Sequence, residues 1–158
     1  MDVRKYCGDN NNSIIVSALF VLDRLLKWRA FTNPPSPQDG FFVYHQNPGI
    51  AFSLPLPPVS LITLLILGVA TVAWFYIQQR KKSARHALPY LLILAGAVSN
   101  IIDRPLSGGV IDYFFLSPLG LYFNLADVMI VGGMITIVIT EMCLKIPNYK
   151  HQIPNKPQ

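Results

Sequence analysis

Residues 59–77 read VSLITLLILGVATVAWFYI and contain no charged side chain. As an α-helix this run extends roughly 28 Å, close to the thickness of the hydrocarbon core of a bilayer. The whole chain has the same character, because 52% of its 158 residues are hydrophobic and only 13% are charged. A soluble domain averages about 25% charged residues. The composition therefore excludes a soluble globule and a disordered chain, and it predicts an all-α membrane protein.

Three further apolar runs complete a set of four predicted transmembrane helices. They are residues 13–32, 87–102 and 121–140. We expect the third helix to end before Pro105, because proline lacks the amide hydrogen that a helix interior requires. Residues 1–145 then form one integral membrane domain, and the proline-rich residues 146–158 form a tail.

The basic residues orient these helices. Nine of the 13 lysines and arginines precede the first helix, join the second to the third, or follow the fourth: Arg4, Lys5, Arg80, Lys81, Lys82, Arg85, Lys145, Lys150 and Lys156. The first loop, residues 33–58, contains no lysine or arginine. Since cytoplasmic loops are enriched in basic residues, both termini and the tail are predicted to be cytoplasmic. Topology thus explains the net charge of +5, and we expect no nucleic-acid partner.

This orientation collects polar residues at the extracytoplasmic membrane surface. They come from the end of the third helix, the start of the fourth and the two outer loops: Asn47, Asn100, Asp103, Arg104, Asp112, Asn124 and Asp127. A charged side chain at the bilayer centre costs about 2.5–3.5 kcal/mol, and such residues usually face protein or water. A cluster of this kind predicts a functional site.

Several members of the cluster also have a purely structural interpretation. Asp103 and Arg104 can form an interfacial ion pair, and the asparagines can hydrogen-bond between helices. Asp23 and Lys27 stand four residues apart on one helical face, which favours a local ion pair. The aromatic residues of the outer loop resemble a headgroup belt: Tyr113, Phe114, Phe115, Tyr122 and Phe123.

Asp112 and Asp127 are harder to explain structurally. Asp127 has no basic residue within four positions, and the nearest one to Asp112 is Arg104. Two unpaired carboxylates near one interface suit an aspartic protease, in which one ionised group activates water and one protonated group donates to the carbonyl. Their pKa values would then belong to the coupled pair.

Five sequence blocks resemble one known family. In chain order they are LDRLLKW, NPGIAFS, GAVSNIIDR, GGVIDYF and FNLAD. These blocks and the predicted topology resemble the lipoprotein signal peptidases (signal peptidase II), four-helix bacterial membrane aspartyl proteases. The resemblance implies an endopeptidase that cleaves diacylglyceryl-modified prolipoproteins just before the lipidated cysteine, in the bacterial inner membrane with an extracytoplasmic active site.

The resemblance also assigns roles to individual residues. It implies Asp112 and Asp127 as the catalytic pair, and a substrate-binding set of Asn47, Asn100, Arg104 and Asn124. Asp103, Asp23 and Lys27 would be structural residues near the site. A small β-cradle with a mobile loop would come from residues 40–53. The chain departs from the family pattern at Ser99, where a glycine is common, at Pro48, at Pro105 and in the proline-rich residues 53–58.

We expect no cofactor or metal, a monomer, and membrane lipids and a lipid-modified prolipoprotein as partners. The alternative is a small proton-coupled transporter or channel subunit that uses Asp23, Asp103 and Asp127 as a relay. That function predicts acidic residues staggered through the membrane and an inverted repeat. Most of the predicted polar residues cluster instead at the extracytoplasmic face of the membrane, and no repeat is visible in the sequence.

Overall fold

A computed structural model describes residues 3–35, 40–49 and 57–145 of the chain. Within these residues the elements are four helices, three strands and a turn of 3-10 helix: α1 (Val3–Thr32), β1 (Phe42–Asn47), α2 (Pro58–Lys82), α3 (Ala84–Ser107), β2 (Val110–Leu116), the turn (Ser117–Leu119), β3 (Leu121–Phe123) and α4 (Leu125–Lys145). The predicted tail, residues 146–158, and part of the predicted cradle, residues 50–53, lie outside the described residues.

Helix α3 lies at the centre of the bundle, where it packs against α1, α2 and most extensively α4. Two glycines allow the close approach of α3 and α4. A Cβ atom on Gly133 would lie 2.6 Å from the carbonyl oxygen of Pro89, and one on Gly96 would lie 2.8 Å from Cγ1 of Ile130. Small residues let membrane helices approach closely enough for their backbones to pack. The α3–α4 contact fixes the position of the polar end of α3 relative to that of α4.

The three strands form an antiparallel sheet in the order β1-β2-β3. His45 of β1 pairs with Asp112 of β2, and Phe114 of β2 pairs with Phe123 of β3. The sheet packs onto α1 through a small core of Ala30, Ile111 and Tyr113. The sheet thereby places Asp112, the neighbour of two core residues, beside the helix bundle.

Three helices are long and apolar enough to cross a membrane. The stretches that qualify are Val59–Lys82, Ala84–Ser107 and Leu125–Cys143. Their outward side chains include many large apolar groups, among them Leu64, Ile66, Leu67, Ile135, Val138 and Ile139. The protein is therefore a mostly helical membrane protein with a small sheet. α1, which carries Asp23, Arg24, Lys27 and Arg29, is not among the three.

The fourth helix begins later than predicted. Residues 121–123 form β3, paired with β2, and α4 begins at Leu125 rather than at residue 121. A short apolar run carries no periodicity that separates a buried strand from a helix. Two of the three strands thus come from residues 110–123, whereas residues 40–53 contribute β1 alone among the described strands.

The third helix ends later than predicted, since α3 continues through Pro105 to Ser107. Pro105 lies in the last turn, where its missing amide hydrogen removes a single intrahelical bond. Gly108 then ends the helix in the left-handed conformation, with φ 77°, and donates its amide hydrogen to the carbonyl of Arg104.

Candidate active site

The first turn of α4 is fixed by three separate parts of the chain. Tyr113 of β2 accepts a hydrogen bond from the amide of Leu125 at 2.9 Å, and Asp23 of α1 accepts one from Ala126 at 3.1 Å. The third free amide, that of Asp127, donates to Oδ1 of Asn124 at 2.9 Å. The first amides of a helix have no intrahelical partner. Here α1, β2 and the cap residue satisfy them and hold the helix end in place.

Asn124 and Asp127 form a reciprocal cap. Oδ1 of Asn124 accepts a hydrogen bond from the backbone amide of Asp127. In return, the backbone amide of Asn124 donates to Oδ2 of Asp127 at 3.1 Å. This is the geometry of a capping box, with asparagine and aspartate in place of the more common serine and glutamate. The Asp127 carboxylate is thus oriented by the helix that carries it.

The second carboxylate reaches the same asparagine from the sheet. Nδ2 of Asn124 donates to Oδ1 of Asp112 at 2.7 Å, and Nδ2 of Asn47 lies 3.4 Å from Oδ2. Asp112 is 2% exposed, and the side chain of Asn124 is fully buried. Asn124 therefore contacts both aspartates at once and sets their relative position.

Burial and mutual repulsion act on the Asp112 carboxyl. Burial raises its pKa from 3.8 to about 6, and the negative charge of Asp127 acts in the same direction, against the hydrogen bonds from Asn124 and Asn47. In the part of the chain that the structure describes, neither Asp112 nor Asp127 forms an ion pair. A carboxyl group with this pKa beside a second carboxylate can hold a proton close to neutral pH.

Behind this pair lies a cluster of four charges, of which Asp23, Lys27 and Asp103 are fully buried and Arg24 is partly exposed. Lys27 of α1 contacts Asp23 at 3.2 Å and Asp103 of α3 at 2.7 Å, and Arg24 also pairs with Asp103. The predicted Asp23–Lys27 pair is present. Asp103 pairs with α1, and the ion pair considered between Asp103 and Arg104 is not among the salt bridges of the described residues.

Two members of this cluster were missed by the sequence analysis. Ser99 donates to Oδ2 of Asp23 at 2.5 Å, and its hydroxyl lies 3.4 Å from Lys27 and from Arg24. The sequence marks Ser99 only as a departure from a family pattern, and nothing in it singles out Arg24. Asp23, Lys27 and Arg24 all lie more than 70 residues from Ser99 in sequence, so no local pattern reveals these contacts.

Asn100 and Arg104 of α3 connect the cluster to the carboxylate pair. Asn100 donates to Oδ1 of Asp127 at 2.8 Å. Arg104 donates to the carbonyl oxygens of Asn100 at 2.7 Å and Gly49 at 3.2 Å. Its Nε is buried and has no partner among the described residues. The structure thus brings together every residue that the sequence analysis placed in the site, together with Tyr113, which is fully buried rather than part of an interfacial belt.

Known proteins resemble this chain in sequence and in fold. Residues 15–143 match the family described as signal peptidase (SPase) II. A lipoprotein signal peptidase of Allorhizobium ampelinum is 33% identical over 149 residues, which cover 87% of this chain and 91% of that protein. One from Xanthomonas axonopodis pv. citri is 34% identical over 142 residues, covering 80% and 83% respectively.

Two solved bacterial membrane enzymes have the same fold. The first superposes with a TM-score of 0.68 at 23% identity, covering 84% of this chain and 92% of that one. The second superposes with a TM-score of 0.70 at 21% identity, covering 94% of each chain. At these identities the likeness concerns the fold alone.

Proposed function

The chain belongs to the signal peptidase II family, and on that premise we propose that it is an aspartyl endopeptidase with Asp112 and Asp127 as its catalytic pair. The observation that carries the proposal is the position of the two carboxylates. Both contact Asn124, and neither has a cationic partner among the described residues. We propose as its substrate a diacylglyceryl-modified prolipoprotein, cleaved just before the lipidated cysteine.

The reaction needs one proton shared between the two aspartates. The ionised carboxylate accepts a proton from a water molecule, whose oxygen attacks the scissile carbonyl carbon. The protonated carboxyl donates to the carbonyl oxygen as charge develops there. The proton taken from water passes to the departing amine when the tetrahedral intermediate collapses. The environment of Asp112, which raises its pKa to about 6, supports such sharing.

The polar residues around the pair are suited to hold an extended peptide. Arg104 has a buried, unpartnered Nε among the described residues, which a substrate carbonyl can satisfy. Asn47, Asn100 and Asn124 present amides beside the carboxylates. The lipid chains of the substrate would remain in the bilayer. No cofactor or metal is part of this mechanism.

We further propose that α1 is a fourth transmembrane helix. Its charges Asp23 and Lys27 are fully buried and face α3, whereas its outward residues are largely apolar, including Ile14, Ile15, Leu22, Leu25 and Trp28. Such pairing lowers the cost of charges within a membrane. Residues 1–145 would then be a single peptidase domain of the bacterial inner membrane. It would act as a monomer, with both termini cytoplasmic and the active site on the extracytoplasmic side.

The alternative function, a proton-coupled transporter, is not favoured. It requires acidic residues staggered through the depth of the membrane. Asp23, Asp103 and Asp127 instead belong to one hydrogen-bonded network, joined through Lys27 and Asn100.

Cleavage of a diacylglyceryl-modified prolipoprotein by the purified protein in lipid tests the proposal. Asp112→Asn and Asp127→Asn should each lower kcat at least a hundredfold, since general acid–base groups contribute about 10²–10⁴-fold. The matched control is Glu141→Gln, which removes an exposed carboxylate near the far end of α4 and should leave cleavage unchanged. Full activity of either aspartate variant would contradict the proposal.

A further inference from the structure

Lys27 is a fully buried lysine that reaches the carboxylate pair through one intervening side chain. Its ammonium lies 2.6 Å from Oδ1 of Asn100, and Nδ2 of the same amide lies 2.8 Å from Oδ1 of Asp127. Asp23 and Asp103 hold the ammonium from its other sides. The mechanism described above gives Lys27 no role, although burying a charge in this position is costly unless it is paired.

The ammonium fixes the orientation of the Asn100 amide. A lysine ammonium has three donors and no acceptor, so the amide group must turn its oxygen toward Lys27. The amide nitrogen then points at Asp127 and donates to it. The Asn100–Asp127 hydrogen bond therefore has a fixed direction, set by a charge on α1.

The two carboxylates consequently differ in their surroundings. Both carboxylate oxygens of Asp127 accept hydrogen bonds, one from the Asn100 side chain at 2.8 Å and one from the backbone amide of Asn124 at 3.1 Å. Asp127 also lies in the first turn of α4, where the helix dipole is positive. Asp112 accepts one close bond from Asn124, and among the described residues its Oδ2 has only the longer 3.4 Å hydrogen bond from Asn47. Donors that converge on a carboxylate favour its ionised form.

We propose that Lys27 is a positioning residue that acts through Asn100 to keep Asp127 ionised, so that Asp127 activates the water and Asp112 carries the shared proton. The inference rests on the proposed function. In the reaction, Asp127 takes a proton from water as the oxygen bonds to the carbonyl carbon, and Asp112 gives its proton to the carbonyl oxygen. When the C–N bond breaks, Asp127 returns its proton to the amine and Asp112 regains one from the hydroxyl.

Other charged groups near the pair act on it through space rather than through a hydrogen bond. Arg104 of α3 lies close enough to interact electrostatically with Asp103, with Asp127 and, least strongly of the three, with Asp112. His45 of β1 pairs with Asp112 in the sheet register, but burial lowers the pKa of its imidazole, which favours the neutral form. Asp23 and Asp103 pair with Arg24 and Lys27, while Asp23 also acts electrostatically on Asp127, and Lys27 on both carboxylates. Of these groups, Lys27 alone reaches one carboxylate of the pair through a hydrogen-bonded amide.

The pH dependence of kcat/KM for prolipoprotein cleavage tests the inference, since its acidic limb reports the base and its alkaline limb the acid. The main variant is the charge-balanced Lys27→Gln/Asp103→Asn. The midpoint of its acidic limb should rise by about one pH unit. At pH values below that midpoint, kcat/KM should then be about tenfold lower than in the unmodified protein. Asp103→Asn alone removes a negative charge and keeps Lys27, so its acidic limb should stay or move down.

A second variant keeps the test independent of folding defects. Asn100→Ala leaves the ion pairs of Lys27 intact and removes only the connection to Asp127, so it should give the same upward shift of the acidic limb. Arg29→Gln is the matched control, because it removes an exposed cation of α1 whose side chain, among the described residues, donates to the carbonyl of Asn33 just after the helix. Its profile should match that of the unmodified protein.

The outcomes separate the inference from the proposed function. An upward shift of the acidic limb in both Asn100→Ala and the folded double variant, with none in Arg29→Gln, supports the role of Lys27. An acidic limb that stays at the unmodified value in Asn100→Ala, or in the folded double variant, overturns it. Cleavage that survives Asp112→Asn or Asp127→Asn would instead overturn the proposed function, whatever the pH profiles show.

Discussion

Asp112 is held in the folded protein at a cost in stability. Its pKa is about 6 when folded and near 3.8 in an unfolded chain, so ionisation opposes folding above pH 6 and this penalty disappears as the pH falls toward 3.8. Asp112→Asn removes the charge and keeps the shape. It should therefore raise the free energy of unfolding by about 1–2 kcal/mol near pH 7.5 and by much less near pH 4.5.

Chemical denaturation in detergent at the two pH values measures this difference. Asp112→Asn should lose cleavage activity while it gains stability, a combination expected at catalytic positions. Glu141→Gln at the other end of α4 serves as the control, with no pH-dependent gain. A stability difference between Asp112→Asn and the unmodified protein that is the same at both pH values would show that the charge of Asp112 carries no such cost.

Tyr113 contributes through its hydroxyl group. That group donates to Asp23 at 2.9 Å and accepts from the amide of Leu125 at 2.9 Å, in a fully buried position. Tyr113→Phe keeps the ring but leaves both partners short of a hydrogen bond, so it should lower the free energy of unfolding by about 1–3 kcal/mol.

The control for Tyr113→Phe is Tyr122→Phe in the same sheet, where the side chain is 40% exposed. Thermal unfolding in detergent should show a clear loss for the first variant and little change for the second. Equal unfolding temperatures for the two variants would contradict a stabilising role for the hydrogen bonds of Tyr113 to Asp23 and Leu125.

For individual residues, the sequence predicted the carboxylates and amides of the candidate site but not the hydrogen bonds that position them. Asp112 and Asp127 could be selected because no basic residue lies close to them in the chain. The partners of Tyr113 lie 90 and 12 residues away, so its sequence context, an aromatic run, indicated a membrane interface instead. Contacts of this length depend on helix packing, which no local pattern records.

Among the described helices, α3 and α4 share the most extensive contact. Gly133 faces the backbone of α3, where an added Cβ would lie 2.6 Å from the carbonyl oxygen of Pro89, whereas its neighbour Gly132 faces open space. Gly133→Ala should lower the free energy of unfolding by about 1–3 kcal/mol, because a carbonyl of the α3 backbone cannot move aside cheaply.

Gly132→Ala is the matched control for Gly133→Ala. It adds the same methyl group one position earlier and should leave stability unchanged or slightly raised, since alanine is the better helix former. Both variants are compared by thermal unfolding in one detergent. A Gly133→Ala protein as stable as Gly132→Ala would show that the two helices do not pack this closely.

Among the secondary-structure elements, the helices could be predicted from the sequence, whereas the place where the sheet ends and α4 begins could not. The four helices follow from apolar runs of membrane-spanning length, and all four are present as helices. The strands β2 and β3 do not follow, because residues 121–123 continue directly into the apolar residues of α4. Their strand character comes from pairing, with Phe114 opposite Phe123, rather than from their own composition.

For the molecule as a whole, the proposed topology separates the two ends of α4 by the membrane. In a background of Cys7→Ser and Cys143→Ser, a new thiol from Ser117→Cys, in the turn between β2 and β3, should react with a membrane-impermeant maleimide on intact cells. In a Cys7→Ser background, Cys143, which is exposed near the other end of α4, should react only after permeabilisation. Labelling of Cys143 on intact cells would contradict the orientation.

The buried charge cluster also dictates an order of assembly. Arg24 and Lys27 belong to the first helix to leave the ribosome, yet their partner Asp103 follows Arg24 by 79 residues. Until that aspartate is synthesised, the part of the cluster that lies on α1 holds two cations, Arg24 and Lys27, and one anion, Asp23. A helix with an uncompensated charge is a poor candidate for stable insertion by itself. If α1 spans the membrane as proposed, its stable insertion therefore has to wait for α3, which supplies the missing aspartate.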